Sequence, residues 1–313
     1  MSSSKAEQFS KHIQGPVFPI LTLFNEDGSI DEAGMINYVD FLIGQGAKNL
    51  MCTVGTSRYD VMTADEMLQA NEIVVKAAAK RAVVIVTTPS TGPTSQAITF
   101  ARHAEGIGAD AILAVYPDRY YGDDSVVEFF EMVSSSCNIG VLIHEMPIRA
   151  GRSTEAPAAQ YSPVLLKRIF SLTNIVGLKE ESGDADLIRH INSEYSRKAA
   201  VIGGRGGMGG FLQAAPFGQT TYLVGIGNFL PQLELDFYQK VVTGRQSEAE
   251  AIVFNSEKPF FALAVKLGWH VSLRAAMYLL GLCQPYERKP MNHLSLDEQA
   301  ALKMVMVQLG FIK

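Results

Sequence analysis

A lysine at the end of a short apolar run, followed two residues later by a glutamate, is the pair in this chain best suited to covalent chemistry. Asn174 to Asp184 reads Asn-Ile-Val-Gly-Leu-Lys-Glu-Glu-Ser-Gly-Asp, which puts Lys179 at the C-terminal end of a strand-like stretch. A lysine so placed is half desolvated; burial lowers the affinity of its amine for a proton and frees it to attack a carbonyl carbon. That is the opening step of Schiff-base chemistry. Strand alternation carries residues 177, 179 and 181 along one face, so Glu181 is expected beside the amine. His144, in Leu142-Ile-His-Glu-Met-Pro147, ends another apolar run and offers acid/base chemistry near neutral pH.

These residues need a frame that brings strand ends together. Strand-like runs fall near 17–22, 49–54, 83–87, 111–115, 140–143, 175–179, 200–203 and 221–224, with helical patterns between them. Eight βα units predict a closed (β/α)8 TIM barrel, whose strand C-termini converge on one mouth. An open doubly wound sheet would call for a glycine-rich loop after the first strand, and Pro19 to Phe24 contains no glycine. Ser29-Ile-Asp-Glu32 and Thr63-Ala-Asp-Glu66 both match a capping box at a helix start. From about residue 246 the pattern is helical, which predicts three regions: an N-terminal arm over 1–14, the barrel over 15–245, and a C-terminal helical extension over 246–313.

Composition narrows the partners. The 313 residues carry 27 Lys and Arg against 32 Asp and Glu, a net charge of −5, and are 47% hydrophobic. No basic cluster or basic-aromatic alternation appears, so nucleic acid is not an expected partner. No run of some eighteen apolar residues is present, so no membrane span is expected. Cys52, Cys137 and Cys283 are scattered, with neither CxxC nor Cys/His spacing. That pattern speaks against disulfides and structural zinc and fits a reducing cytoplasm; no metal site is expected.

Several separated motifs together resemble the superfamily of dihydrodipicolinate synthase and N-acetylneuraminate lyase, the pyruvate-dependent class I aldolases. Gly15 to Asp31 is similar to its first strand and Asp-Gly-x-Ile-Asp turn, with Leu23 in place of a proline; Ile175 to Asp184 resembles its Schiff-base strand, and Arg288-Lys-Pro-Met291 its C-terminal linker. The resemblance implies an imine between Lys179 and pyruvate or another 2-keto acid, a small-molecule substrate, no separate cofactor, and a homotetramer or homodimer. It lays Val54-Gly55-Thr56-Ser57-Arg58 onto the family's carboxylate-binding Gly-Thr-Thr-Gly-Glu, with Thr56 on the second threonine.

Three of the departures from the synthase pattern fall on residues with a chemical role in it. Gly55 replaces the first threonine of its proton relay, His144 replaces the tyrosine above the imine, and Arg58 stands where the family has glutamate. Genuine dihydrodipicolinate synthase activity is therefore not expected. Tyr121 matches a tyrosine that relatives insert into a neighbouring site, although Asp118 and Arg119 lengthen its loop. Arg149 matches an arginine at the mouth. Gly204 and Leu223, at the ends of the seventh and eighth strands, join the substrate-facing set, and Gly203 to Gly210 is read as a close-packed lining loop rather than a phosphate cradle. Arg58 and Arg205 would suit an acidic or polyhydroxylated distal end. Some sugar-acid dehydratases of the superfamily carry Glu two after the lysine, which leaves three readings: aldol cleavage of a 2-keto acid, dehydration of a 2-keto-3-deoxy sugar acid, or a keto-acid-binding or regulatory protein without turnover.

Overall fold

Buried apolar runs of three to six residues close on one another as eight parallel strands. The computed structural model describes residues 4–146, 149–150, 161–205 and 207–313, with 149 and 150 as backbone alone. Its strands are β1 Gly15–Pro19, β2 Asn49–Met51, β3 Val83–Thr87, β4 Ala111–Ala114, β5 Arg119–Tyr120, β6 Gly140–Glu145, β7 Arg149–Ala150, β8 Ile175–Glu180, β9 Ala200–Gly203 and β10 Thr221–Leu223. The closed barrel runs β1-β10-β9-β8-β6-β4-β3-β2, while β5 and β7 form a separate two-stranded sheet above it. This is the (β/α)8 barrel that the strand rhythm predicts.

Alternation along the strands divides the core into two layers. Val17, Met51, Ile85, Leu113, Leu142 and Ile202 fill the interior. Their neighbours Phe18, Leu50, Val84, Ile112, Ile143 and Val201 face the helices. Residues continuing the interior set at the strand ends point into the mouth. His144 follows Leu142 by two, and Gly204 follows Ile202 by two.

The helices are α1 Lys5–His12, α2 Glu32–Gly44, α3 Ala64–Ala78, α4 Thr94–Ile107, α5 Asp123–Ser134, α6 Pro163–Phe170, α7 Ala185–Tyr195, α8 Gly207–Ala214, α9 Pro231–Val242, α10 Gln246–Ile252, α11 Lys258–Leu267, α12 Trp269–Leu279 and α13 Leu296–Gln308. Among the described residues none is long and apolar enough to cross a membrane. Thr63 caps α3 with the expected capping box. Ser29 does not cap α2: the cap is Asp31, whose carboxylate accepts the Gly34 amide at 2.8 Å, while Ser29 donates to Asp27 within the preceding turn.

The N-terminus is likewise no loose arm where it is described. Helix α1 is capped by Ser4 and its Lys5 donates to Asn138 and Asn174; Phe9 and Ala6 pack against the barrel-interior cluster, which Ile13 joins. The partly buried Ala6 and Phe9 and the fully buried Ile13 supply the apolar contact that orders this segment, a gain that its polar composition concealed. Residues 1–3 lie outside the described set.

Two buried glutamates brace the C-terminal face. Glu257, on the wide turn Val253–Glu257 between α10 and α11, accepts the Met208 and Gly209 amides at 2.7 and 2.8 Å, so its carboxylate holds the N-terminus of α8. Glu234 on α9 accepts the Gly227 amide at 3.0 Å. Burial, with the Glu257 charge nearby, pushes the Glu234 carboxyl from its ordinary 4.5 up to about 8. The folded protein thus keeps a proton that the unfolded chain has released, and the associated stability is full below 4.5 and lost as pH rises through 8. Glu234→Gln keeps an acceptor for Gly227 and cannot ionise. It should remove much of the loss of thermal stability between about pH 5.5 and about pH 8.5, an effect on the order of 2 kcal/mol; melting curves of both proteins at the two pH values check this.

Candidate active site

The amine that the sequence singles out lies in the barrel mouth. β6 and β8 pair in parallel with His144 opposite Lys179 and Glu145 opposite Glu180, so the imidazole and the amine are direct cross-strand neighbours. Both are buried, with 3% of Lys179 exposed. β8 ends at Glu180, but the Glu181 amide still donates to the Glu145 carbonyl at 2.8 Å, which carries the strand alternation one residue further. Glu181 consequently returns to the interior side, where its Oε2 accepts a hydrogen bond from Lys179 Nζ.

Glu181 Oε2 also lies 2.8 Å from His144 Nε2, and Lys179 Nζ lies 3.1 Å from the same nitrogen. A carboxylate only accepts, so His144 carries its proton on Nε2 and donates it to Glu181. Burial and the Lys179 charge both lower the imidazole pKa, against an opposing pull from Glu181, which keeps this histidine neutral. Burial alone would raise the Glu181 carboxyl. The Lys179 charge and the His144 hydrogen bond outweigh it and hold the group well below the usual carboxylate range. The result is an amine, an anionic carboxylate and a neutral imidazole in mutual contact.

They open into a cavity of about 450 Å³, lined among others by Gly55, Thr56, Tyr59, Met146, Gly204, Arg205, Leu223, Phe261, Trp269 and His270. A larger groove of about 880 Å³ lies between α1, α6 and α7 at the start of β8, at the opposite end of the barrel. Convergent chemistry, not volume, selects the smaller one.

The loop after β2 begins at Thr53, a buried residue at φ +55 whose hydroxyl bonds Asn71 at 2.8 Å. A short 3-10 turn over Gly55–Ser57 follows, and its leading amides, Gly55 and Thr56, have no acceptor within the turn. With the Thr56 hydroxyl they form a cradle of donors suited to a carboxylate. Gly204 is needed for a different reason: a Cβ there would sit 2.7 Å from the Glu180 carbonyl and 3.1 Å from Lys179 Nζ. Gly207 and Gly209 of α8 make room for Glu257, whose Oε1 would be 2.4 Å from a Cβ at Gly207. The first amides of that helix are therefore already bonded to a protein carboxylate, in accord with a lining loop rather than a phosphate cradle.

Other predicted residues are placed elsewhere. Ser57 is buried and its hydroxyl accepts the Val54 amide, so it shapes the loop from behind. Arg58 does not line the cavity. Its guanidinium is fully buried and bonded to Glu287, the Thr56 carbonyl and the His270 carbonyl. Tyr121 is 65% exposed and lines a separate groove with Tyr116 and Arg119. Arg149 pairs through its backbone with Arg119, and its side chain lies outside the described residues. Conversely, Phe261, Trp269 and His270 line the cavity without having been singled out. All three come from α11 and α12, so the C-terminal helices are a wall of the site, not an appendage.

The sequence model of the dihydrodipicolinate synthetase family matches residues 12–309. The chain belongs to that family. A protein of Paracidovorax citrulli described as "Probable 5-dehydro-4-deoxyglucarate dehydratase" is 29% identical over 300 residues, 94% of each chain. Dihydrodipicolinate synthase from Oceanobacillus iheyensis has the same fold, with a TM-score of 0.86 at 21% identity over 98% of this chain and all of its own. A sialic acid aldolase from Ruminococcus gnavus, in a form described as its catalytic lysine mutant, gives 0.86 at 16% identity over 99% and 98%. Like the members of that family, the chain is a lyase, of the aldolase or dehydratase kind.

Proposed function

We propose that this enzyme forms an imine between Lys179 and a 2-keto-3-deoxy sugar acid and removes water from it, without metal or organic cofactor. The observation that carries this reading is the position of Glu181 Oε2, in hydrogen-bond contact with both Lys179 Nζ and His144 Nε2. Glu181 takes the ammonium proton, and the freed amine adds to the C2 ketone. The same proton then leaves with the carbinolamine hydroxyl as water, giving the imine. The substrate carboxylate sits against Thr56 and the leading amides of the 3-10 turn.

C3 is one bond from the imine carbon, and a carboxylate beside the imine nitrogen is within reach of its proton. Glu181 takes that proton as the electrons move into the imine, then returns it to the C4 oxygen as the C4–O bond breaks. Water departs, and hydrolysis of the conjugated imine releases Lys179 and a keto acid with its carbon count intact. His144 holds Glu181 in place throughout. Arg205 supplies positive charge at the cavity wall for an acidic or hydroxylated distal end. Tyr121, exposed on the single chain, would be covered in a homodimer or homotetramer, which makes a second copy the macromolecular partner of this reading.

The departures at Gly55 and His144 argue against the synthase reaction, and the assembled Lys179–Glu181–His144 cluster argues against a protein that only binds. Borohydride reduction in the presence of pyruvate tests the imine: a reduced adduct on Lys179, found by peptide mass, is expected. Product analysis with a 2-keto-3-deoxy sugar acid tests the second half. Loss of water is expected, whereas an aldehyde together with pyruvate would replace dehydration by aldol cleavage.

A further inference from the structure

The sequence directs attention to strand ends, yet two rings in the cavity come from the first turn of α12. Gly268, at φ +102, turns the chain sharply between α11 and α12, a conformation that favours glycine, and brings Trp269 and His270 to the cavity wall. The His270 carbonyl accepts Arg58 Nη2 at 2.7 Å, and that guanidinium is itself clamped on Glu287 by two bonds. The backbone of His270 is thus fixed from a buried anchor. Its imidazole forms no hydrogen bond among the described residues, although it lines the same cavity as Lys179 and Glu181.

From this juxtaposition we infer that His270 is a specificity-determining residue, which hydrogen-bonds a hydroxyl on the distal chain of the substrate; the inference rests on the imine reading above. Burial and the adjacent Arg58 lower the ring's proton affinity, so it is neutral, with one donor and one acceptor nitrogen. A hydroxyl also donates and accepts, and so matches a neutral imidazole better than a carboxylate does. The wall then divides its work: Arg205 offers charge, His270 offers a hydroxyl partner, and Trp269 and Phe261 offer apolar surface to the carbon chain. The substrate class that fits is a polyhydroxylated 2-keto acid rather than a short one.

The test compares two substrates that share the reacting atoms. One is a six-carbon 2-keto-3-deoxy sugar acid with hydroxyls at C4, C5 and C6; the other is 2-keto-4-hydroxyvalerate, with its hydroxyl at C4 alone. In His270→Phe and His270→Ala, the preference in kcat/KM for the sugar acid over the valerate should fall by roughly 10- to 100-fold, mainly through KM for the sugar acid. Should the bulkier Phe variant fail to fold, the Ala variant, which introduces no bulk, gives the same readout. An unchanged preference, or an equal loss on both substrates, overturns the inference. Failure of the imine reading is separate: the wild-type enzyme would then yield no pyruvate adduct on Lys179.

Discussion

Lys179→Ala is expected to lower kcat/KM by about 10⁴-fold or more and to abolish the borohydride adduct with pyruvate. The amine is buried beside a carboxylate and an imidazole, and among the described residues no second lysine lines the cavity to replace it. Glu181→Gln should cost about 10²- to 10⁴-fold in kcat, because the amide keeps the shape of the carboxylate but cannot move the proton. Combining the two changes should be no worse than Lys179→Ala alone, since the carboxylate acts on an imine that no longer forms. Additive losses in that double-mutant cycle would remove Glu181 from the imine chemistry and leave it a structural ion-pair partner. Steady-state kinetics on the four proteins, with melting curves to confirm folding, decide the matter.

The residues that could be read from the sequence are those whose placement follows from local periodicity. Lys179 ends an apolar run, Glu181 lies two residues on, and His144 ends another run; alternation and parallel pairing then bring all three together. His270 and Trp269 could not be read this way, because their contact with the barrel mouth spans about ninety residues and depends on how α11 turns into α12 at Gly268. A glycine between two helical patterns, followed by Trp-His, was the available signal. Arg58 shows a different limit. Its position in the chain is that of a substrate-facing loop residue, but a long side chain can point either way, and only the location of Glu287 determines that it points into the protein. Tyr59, its immediate neighbour, faces the cavity instead.

The buried guanidinium carries the second large effect. Arg58 and Glu287 have side chains 0% and 1% exposed and lie 2.8 Å apart, and the equally buried Arg274 approaches the same carboxylate at 3.3 Å. Removing one partner of such a pair costs about 3–5 kcal/mol, mainly because the other charge is left buried and uncompensated. The two removals are not equivalent here. Arg58→Met leaves Glu287 with Arg274, whereas Glu287→Gln leaves two guanidinium groups without a counter-charge. Burial would raise the Glu287 carboxyl, yet the two arginines hold it below the usual range, so its stabilising share is present above the unfolded value of 4.5 and lost as pH falls through the folded one. Both variants should therefore lower the urea midpoint at neutral pH, Glu287→Gln more than Arg58→Met. Each deficit relative to wild type should shrink as the solution is made acidic. Equal losses, or a larger loss from Arg58→Met, would overturn the view that the guanidinium charge stranded on Arg58 and Arg274 dominates the cost. Because Arg58 also bonds the Thr56 and His270 carbonyls, Arg58→Met should raise KM for a hydroxylated substrate beyond what its stability loss explains, as the Gly55–Ser57 turn and the α12 wall lose their common anchor.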